Sequence, residues 1–180
     1  TLADLSEASP GQRSAAAYLA HRIELRQGRP IEAVRYLELS AREIDSFYGV
    51  VSRYALGQKI NMSFDLPNVH VEFINWLSKR PGGNRIFALL QLGETHAAER
   101  ELRYLWMEMP DKYRIGVMQF AAEHGMSGLA FRIAEIIRKD TGVNWYGALY
   151  PHPKFIAEYS IDEALVWSIS RQESGFNPRA

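Results

Sequence analysis

Apolar residues recur along this chain with the period of a helix almost everywhere, and glycines interrupt them at nearly even intervals. Ile44, Phe47, Tyr48, Val51 and Ala55 fall at i, i+3, i+4, i+7 and i+11. Leu102, Leu105, Trp106 and Met109 repeat the first four of those steps, and Leu129, Ile133, Ile136 and Ile137 form a third stripe. One-sided stripes of this kind belong to amphipathic helices. Gly28, Gly57, Gly93 and Gly125 each follow such a segment. A glycine in that place ends a helix in the left-handed conformation. A period of about 34 residues built from short helix pairs is the mark of a helical repeat array. The text around the glycines also recurs loosely, as "YALGQ", "LQLGE" and "AEHGM". An all-α fold is therefore expected, with residues 12 to 140 as helix hairpins stacked in a right-handed superhelix. An irregular helical bundle is the alternative. The best strand candidate, "VHVEF" at 69–73, lies between Pro67 and the turn read at Pro81-Gly82-Gly83. A helix suits that segment better.

The totals narrow the function. Of 180 residues, 47% are hydrophobic, enough for a packed core. Lys and Arg number 21, as do Asp and Glu, so the basic excess of a nucleic-acid binder is missing. The absence of cysteine removes disulfides, thiolate-bound zinc and a thiol nucleophile. No apolar run approaches the roughly 18 residues of a membrane span. The first residue is Thr1, so a processed or cut N-terminus is expected and a leader's absence says nothing about export. The five histidines, His21, His70, His96, His124 and His152, stand far apart and form no zinc motif. No phosphate-binding or dinucleotide loop occurs, so neither metal nor cofactor is expected.

Near Gly142 the texture changes. "TGVNWYGALYPHPKF" is dense in glycine, proline and aromatics and reads as a linker held down by Trp145, Tyr146 and Tyr150. The expected layout is a scaffold over 1–142, a linker over 143–153 and the start of a different domain over 154–180. Within the last part, Ser160 and Glu163 have the spacing of a capping box, and Gly175 with Asn177-Pro178 stops the chain from continuing as helix. A helix from Ile161 to Ser174 follows. At about 100° per residue, Glu173 falls on the face of Val166 and Ile169 with Leu165 at its edge, while Arg171 points the other way. An apolar neighbourhood and the negative end of a helix both favour a carboxyl that keeps its proton, as a general acid must.

"SISRQESGFNP" resembles the catalytic motif of the soluble lytic transglycosylases, whose catalytic domain is similar to goose-type lysozyme. Arg171, Gln172, Glu173, Ser174, Gly175, Phe176, Asn177 and Pro178 match it in order. "IDEALVWSI" before it, "ALYP" at 148–151 and "DSFYGVVSRYALGQ" at 45–58 resemble further phrases of the family. The resemblance implies Glu173 as the catalytic residue and Ser174 as a substrate-binding neighbour. It implies cleavage of the β-1,4 bond between N-acetylmuramic acid and N-acetylglucosamine without water, leaving a 1,6-anhydro end. It also implies the periplasm as location, peptidoglycan glycan strands as partner, other cell-wall proteins as further partners, and no metal. The family's Gly-Leu-Met-Gln segment has no counterpart before Ala180. The resemblance thus implies a scaffold plus the first helix of the catalytic domain, inactive by itself. Asp162 shares Glu173's face but stands eleven residues away, roughly 16 Å along the axis. Ordinary glycosidases need a second carboxylate at about 5–9.5 Å, so Asp162 is excluded as a partner, which is compatible with the single-carboxylate, substrate-assisted scheme that the resemblance implies. The competing reading is a helical-repeat scaffold that binds a protein or glycan.

Overall fold

The computed structural model describes residues 8–66, 68, 71–151 and 160–177. Ten α-helices and a 3-10 turn account for the regular structure among them, and no strand occurs there. The chain divides into two compact units, Thr1–Met62 and Ser63–Ala180. Of the stretch read as a linker, 143–153, the described residues 143–151 run inside the second unit, where Ala148 and Leu149 are buried, and 152 and 153 lie outside the described residues.

The first unit holds α1 (Pro10–Arg26), α2 (Pro30–Ala41) and α3 (Phe47–Ala55). Ser9 and Gln12 form a capping box at the head of α1, with Pro10 in the first turn, where no amide hydrogen is needed. The turn between α1 and α2 is closed by Arg29 on Glu24, a hydrogen bond that holds the Glu24 carboxyl below the usual carboxylate range. α1 and α2 run antiparallel: His21 Nδ1 lies 2.8 Å from the Ala33 carbonyl, and the Ser40 hydroxyl donates to the Ser14 carbonyl at 3.0 Å. The core between them is small, made of Ala17, Ala33, Leu37 and Ala41 with buried Ser14, Ser40, Ser46 and Ser52. Small side chains let the three helices come close, and the hydroxyls satisfy one another. Ser52 donates to Ser40 Oγ at 2.8 Å and Ser46 to Ser14 Oγ at 2.6 Å. The expected stripe Ile44–Ala55 is therefore not what α3 buries. Gly49 and Ser52 make the close contact, while Phe47 is 74% exposed.

The second unit holds α4 (Val71–Ser78), α5 (Pro81–Gln91), α6 (Thr95–Trp106), a 3-10 turn (Asp111–Tyr113), α7 (Arg114–Glu123), α8 (Ser127–Thr141), α9 (Tyr146–Leu149) and α10 (Glu163–Ser174). Val69, His70 and Pro67 lie outside the described residues, but the rest of "VHVEF" is helical as expected. Pro81-Gly82-Gly83 is not a turn: it is the first turn of α5, with Pro81 at its head and both glycines buried. Leu77, Ile86, Leu102, Leu129, Ile133 and Ile137 belong to one buried apolar cluster with α7, whose residues Gly116 to Ala121 are all buried. Phe73 lies against Gly116, where an added Cβ would come within 2.9 Å, and meets Phe120 edge-on at 5.8 Å.

The four spaced glycines end α1, α3, α5 and α7 with φ between 68° and 75°. Each carries the same bond pair. Arg29, Gln58, Glu94 and Met126 donate back to the carbonyls of Glu24, Arg53, Leu89 and Ala121, at 2.8 to 3.0 Å. This is the Schellman arrangement, and only glycine adopts its left-handed residue without cost.

One residue of the core conflicts with its surroundings. Gln119 on α7 is 2% exposed, and neither Nε2 nor Oε1 has a hydrogen-bond partner. A buried polar group left unmade costs about 1–3 kcal/mol. Gln119→Leu, similar in volume, is expected to raise the melting temperature by about 2–4 °C for each kcal/mol recovered. A thermal melt with an unchanged or lower midpoint would show that water already satisfies the amide.

Candidate active site

α10 begins two residues later than the spacing suggested, and its cap differs. Asp162 is the N-cap, and its carboxylate accepts from the Ala164 amide at 2.8 Å. The Ser160–Glu163 box is not formed, because the charged Asp162 acceptor lies closer to the free amides. Glu163 instead accepts from Trp167 Nε1 at 3.0 Å, one turn along. The helix ends as expected at Gly175, with φ 55° and its amide donating to the Arg171 carbonyl at 3.1 Å. Pro178 lies outside the described residues.

Two residues of the Arg-Gln-Glu-Ser-Gly-Phe block, Arg171 and Phe176, seat this helix. Arg171 Nε donates to the Leu149 carbonyl at 3.3 Å, and its guanidinium stands 3.5 Å from Glu135 of α8. The same group lies 4.8 Å from the Tyr150 ring centre and 5.1 Å from that of Phe131. Cation–π and charge-assisted bonds thus act together on one side chain. Phe176, held at φ 62°, is the one non-glycine residue with positive φ among the described residues, and it packs edge-on against Phe131 at 5.7 Å. Gly128 leaves room for it, since a Cβ there would meet the Phe176 carbonyl at 3.2 Å. Phe131, Glu135 and Gly128 carried no sequence signal of this role. Tyr150 was legible only as a packing aromatic.

Arg171→Ala removes the contacts to Leu149, Glu135, Tyr150 and the Phe131 face and leaves Phe176 in place. Amide exchange over residues 163–177 is expected to quicken at least about tenfold, or about 1.4 kcal/mol. Exchange at the wild-type rate would mean that Phe176 holds the helix by itself.

Glu173 projects on the other side of α10 and is exposed. The stripe beside it is uncovered too: Leu165 is 52% and Ile169 51% exposed, with Val166 half-buried. The described residues therefore do not supply the apolar surroundings that the helical spacing anticipated. Ser174, half-buried next to Glu173, donates its hydroxyl proton to the Ser170 carbonyl at 2.9 Å. Its lone pairs remain open to a donor. Asp162 caps the opposite end of the helix, and Glu135 is held by Arg171 and Arg138. Neither joins Glu173 in a carboxylate pair.

Of the described histidines, His21 lies on α1, His96 on α6 and His124 just after α7. His21 bonds a helix carbonyl and His124 lies 4.3 Å from the Phe120 ring centre, while His70 and His152 are outside the described residues. No group of three or more histidines and carboxylates is found among the described residues. No helix among them is long and apolar enough to cross a membrane. No protein-family model matches the chain, and no curated protein matches it.

Proposed function

We propose that this chain carries the acid-bearing helix and the helical scaffold of a peptidoglycan lytic transglycosylase. The observation that carries the reading is the division of labour on α10. Arg171 and Phe176 fix one side of the helix to α8 and α9, and Glu173 stands free on the other with an uncovered apolar stripe beside it. A carboxylate presented in this way, on a helix end seated by its neighbours, is what a single acid–base residue requires.

In this reading Glu173 protonates the glycosidic oxygen between N-acetylmuramic acid and N-acetylglucosamine. The resulting carboxylate then takes the proton of the sugar's 6-hydroxyl as that oxygen attacks the anomeric carbon, and the acetamido group of the substrate assists. The products are a free 4-hydroxyl and a 1,6-anhydro end. Ser174, with its proton committed to Ser170, accepts from the substrate. The hairpins stack as a right-handed superhelix; the recurring glycine caps support this, as do Leu19, Ile23 and Ile31, more than half exposed on the first hairpin. The location that goes with this substrate is the periplasm.

The test is incubation with purified sacculi. The 180-residue chain is expected to release no anhydro-muropeptides, because water reaches Glu173 freely and a bare carboxyl gives little advantage over solvent. The intact protein, with polypeptide that covers the Leu165–Ile169 stripe, is expected to release them. Reducing ends in place of anhydro ends would replace the reading with a hydrolase, and no release from the intact protein would remove it.

A further inference from the structure

α5 and α6 of the second unit each turn a row of side chains into a common trough of about 610 Å³. The first row is Arg85, Ala88 and Leu89 of α5 with Leu92 at its C-cap, and the α6 row is Ala97, Arg100, Glu101 and Tyr104. Both rows have the spacing i, i+3, i+4, i+7, so each presents about two helical turns on one face. Two antiparallel rows in that register form the surface into which the ridge of a third helix fits. The apolar lining is unusually open for a core face: Leu92 is 76% and Tyr104 72% exposed. The charge is lopsided. Arg85 is bridged to Glu101 at 2.7 Å, which leaves Arg100 exposed with no ion pair among the described residues.

We propose that this trough docks one amphipathic helix of a partner protein, with acidic side chains flanking its apolar ridge. The proposal goes beyond murein cleavage and does not rest on it. The small residues Ala88 and Ala97 admit the ridge, while Leu92 and Tyr104 clasp its two sides. Arg100 is the cation that a carboxylate on the incoming helix completes. A glycan is the poorer fit. Its hydroxyls need several polar partners, and of the four polar side chains in the lining Arg85 and Glu101 are spent on each other, which leaves Arg100 and the Tyr104 hydroxyl beside Ala88, Leu89, Leu92 and Ala97.

The test uses a fluorescein-labelled peptide of about 16 residues, a little over four turns. It is built from Ala, Leu and Glu, with leucines on one stripe and glutamates beside it. A second peptide carries Lys for Glu, and a third is the first with its order scrambled. Anisotropy titration with the 180-residue protein is expected to show the acidic amphipathic peptide binding at least about tenfold tighter than either control. Leu92→Asp should weaken it by a similar factor, and Arg100→Glu should reverse the preference toward the Lys peptide. Both positions are exposed, so the variants fold, as circular dichroism will verify. No saturable binding, equal binding of the scrambled peptide, or indifference to Leu92→Asp would each overturn the proposal. So would competition by chitotetraose, which would make the trough a glycan site. Self-association seen by sedimentation and lost in Leu92→Asp would make the occupant a second copy of this chain and likewise overturn it.

Discussion

Glu173→Gln is expected to lower anhydro-muropeptide release by the intact protein roughly 10²–10⁴-fold, the usual loss when a general acid–base is removed. At about 1.4 kcal/mol per tenfold, this is on the order of 3–5 kcal/mol of transition-state stabilisation. The amide keeps the shape and reach of the carboxyl but moves no proton in either half of the reaction. Substrate binding should be largely retained, so the loss falls on kcat. Fold and stability should not change, because Glu173 is exposed and takes part in none of the contacts that seat α10. Surface changes of that kind stay within about 0.5 kcal/mol. Ser174→Ala makes the internal comparison. It deletes one acceptor and one bond to the Ser170 carbonyl, so it should cost far less than Glu173→Gln. A Glu173→Gln protein within a few-fold of wild type would take this residue out of the mechanism and leave a binding scaffold.

The helices were legible because their signals are local. Gly28, Gly57, Gly93 and Gly125 each follow an amphipathic stretch, and a left-handed helix end needs nothing from the rest of the chain. Leu102, Ile133 and Ile137 were legible as core from their period and are buried. What escaped was set by contacts distant in sequence. Pro81-Gly82-Gly83 has the composition of a turn, but Gly83 is there because α4 comes too close for a side chain. The proline at the head of a helix was the available clue to α5. Gly49 and Ser52 hid in the same way: small residues at a close crossing leave no apolar stripe to read. At the candidate site, the direction of Glu173 relative to Arg171 followed from the helical period alone. Its surroundings did not, because helical spacing says which residues share a face and nothing about what covers that face. The seat for Arg171 is built from Leu149, Glu135, Phe131 and Tyr150, all several helical turns or more upstream, and has no short-range signature.

Gly83→Ala is expected to destabilise the second unit by roughly 3 kcal/mol or more, at the upper end of what overpacking a core produces. An added Cβ at Gly83 would collide with the Leu77 carbonyl oxygen and lie 2.6 Å from its carbon. The obstacle is backbone, and it is pinned: the Leu77 carbonyl accepts from the Arg80 amide at 3.1 Å. Arg80 is itself held, its guanidinium stacked 3.6 Å above the Trp76 ring and bonded to the Trp76 carbonyl at 3.0 Å. Relief would require α4 to move away from α5, and α4 contributes Phe73 and Leu77 to the core with no exposed surface. Gly82→Ala provides the control. It lies in the same turn of α5 and gains the same helix propensity, about 1 kcal/mol over glycine. Its new Cβ would meet only the end of the Leu105 side chain, at 3.2–3.3 Å, which can shift by a rotamer adjustment. Gly82→Ala should therefore be near neutral, and the difference between the two variants isolates the backbone collision from propensity. Urea denaturation of both proteins measures it. If Gly83→Ala proves as mild as Gly82→Ala, the α4–α5 corner yields, and the glycine pair would be explained by chain entropy in the turn rather than by the closeness of α4.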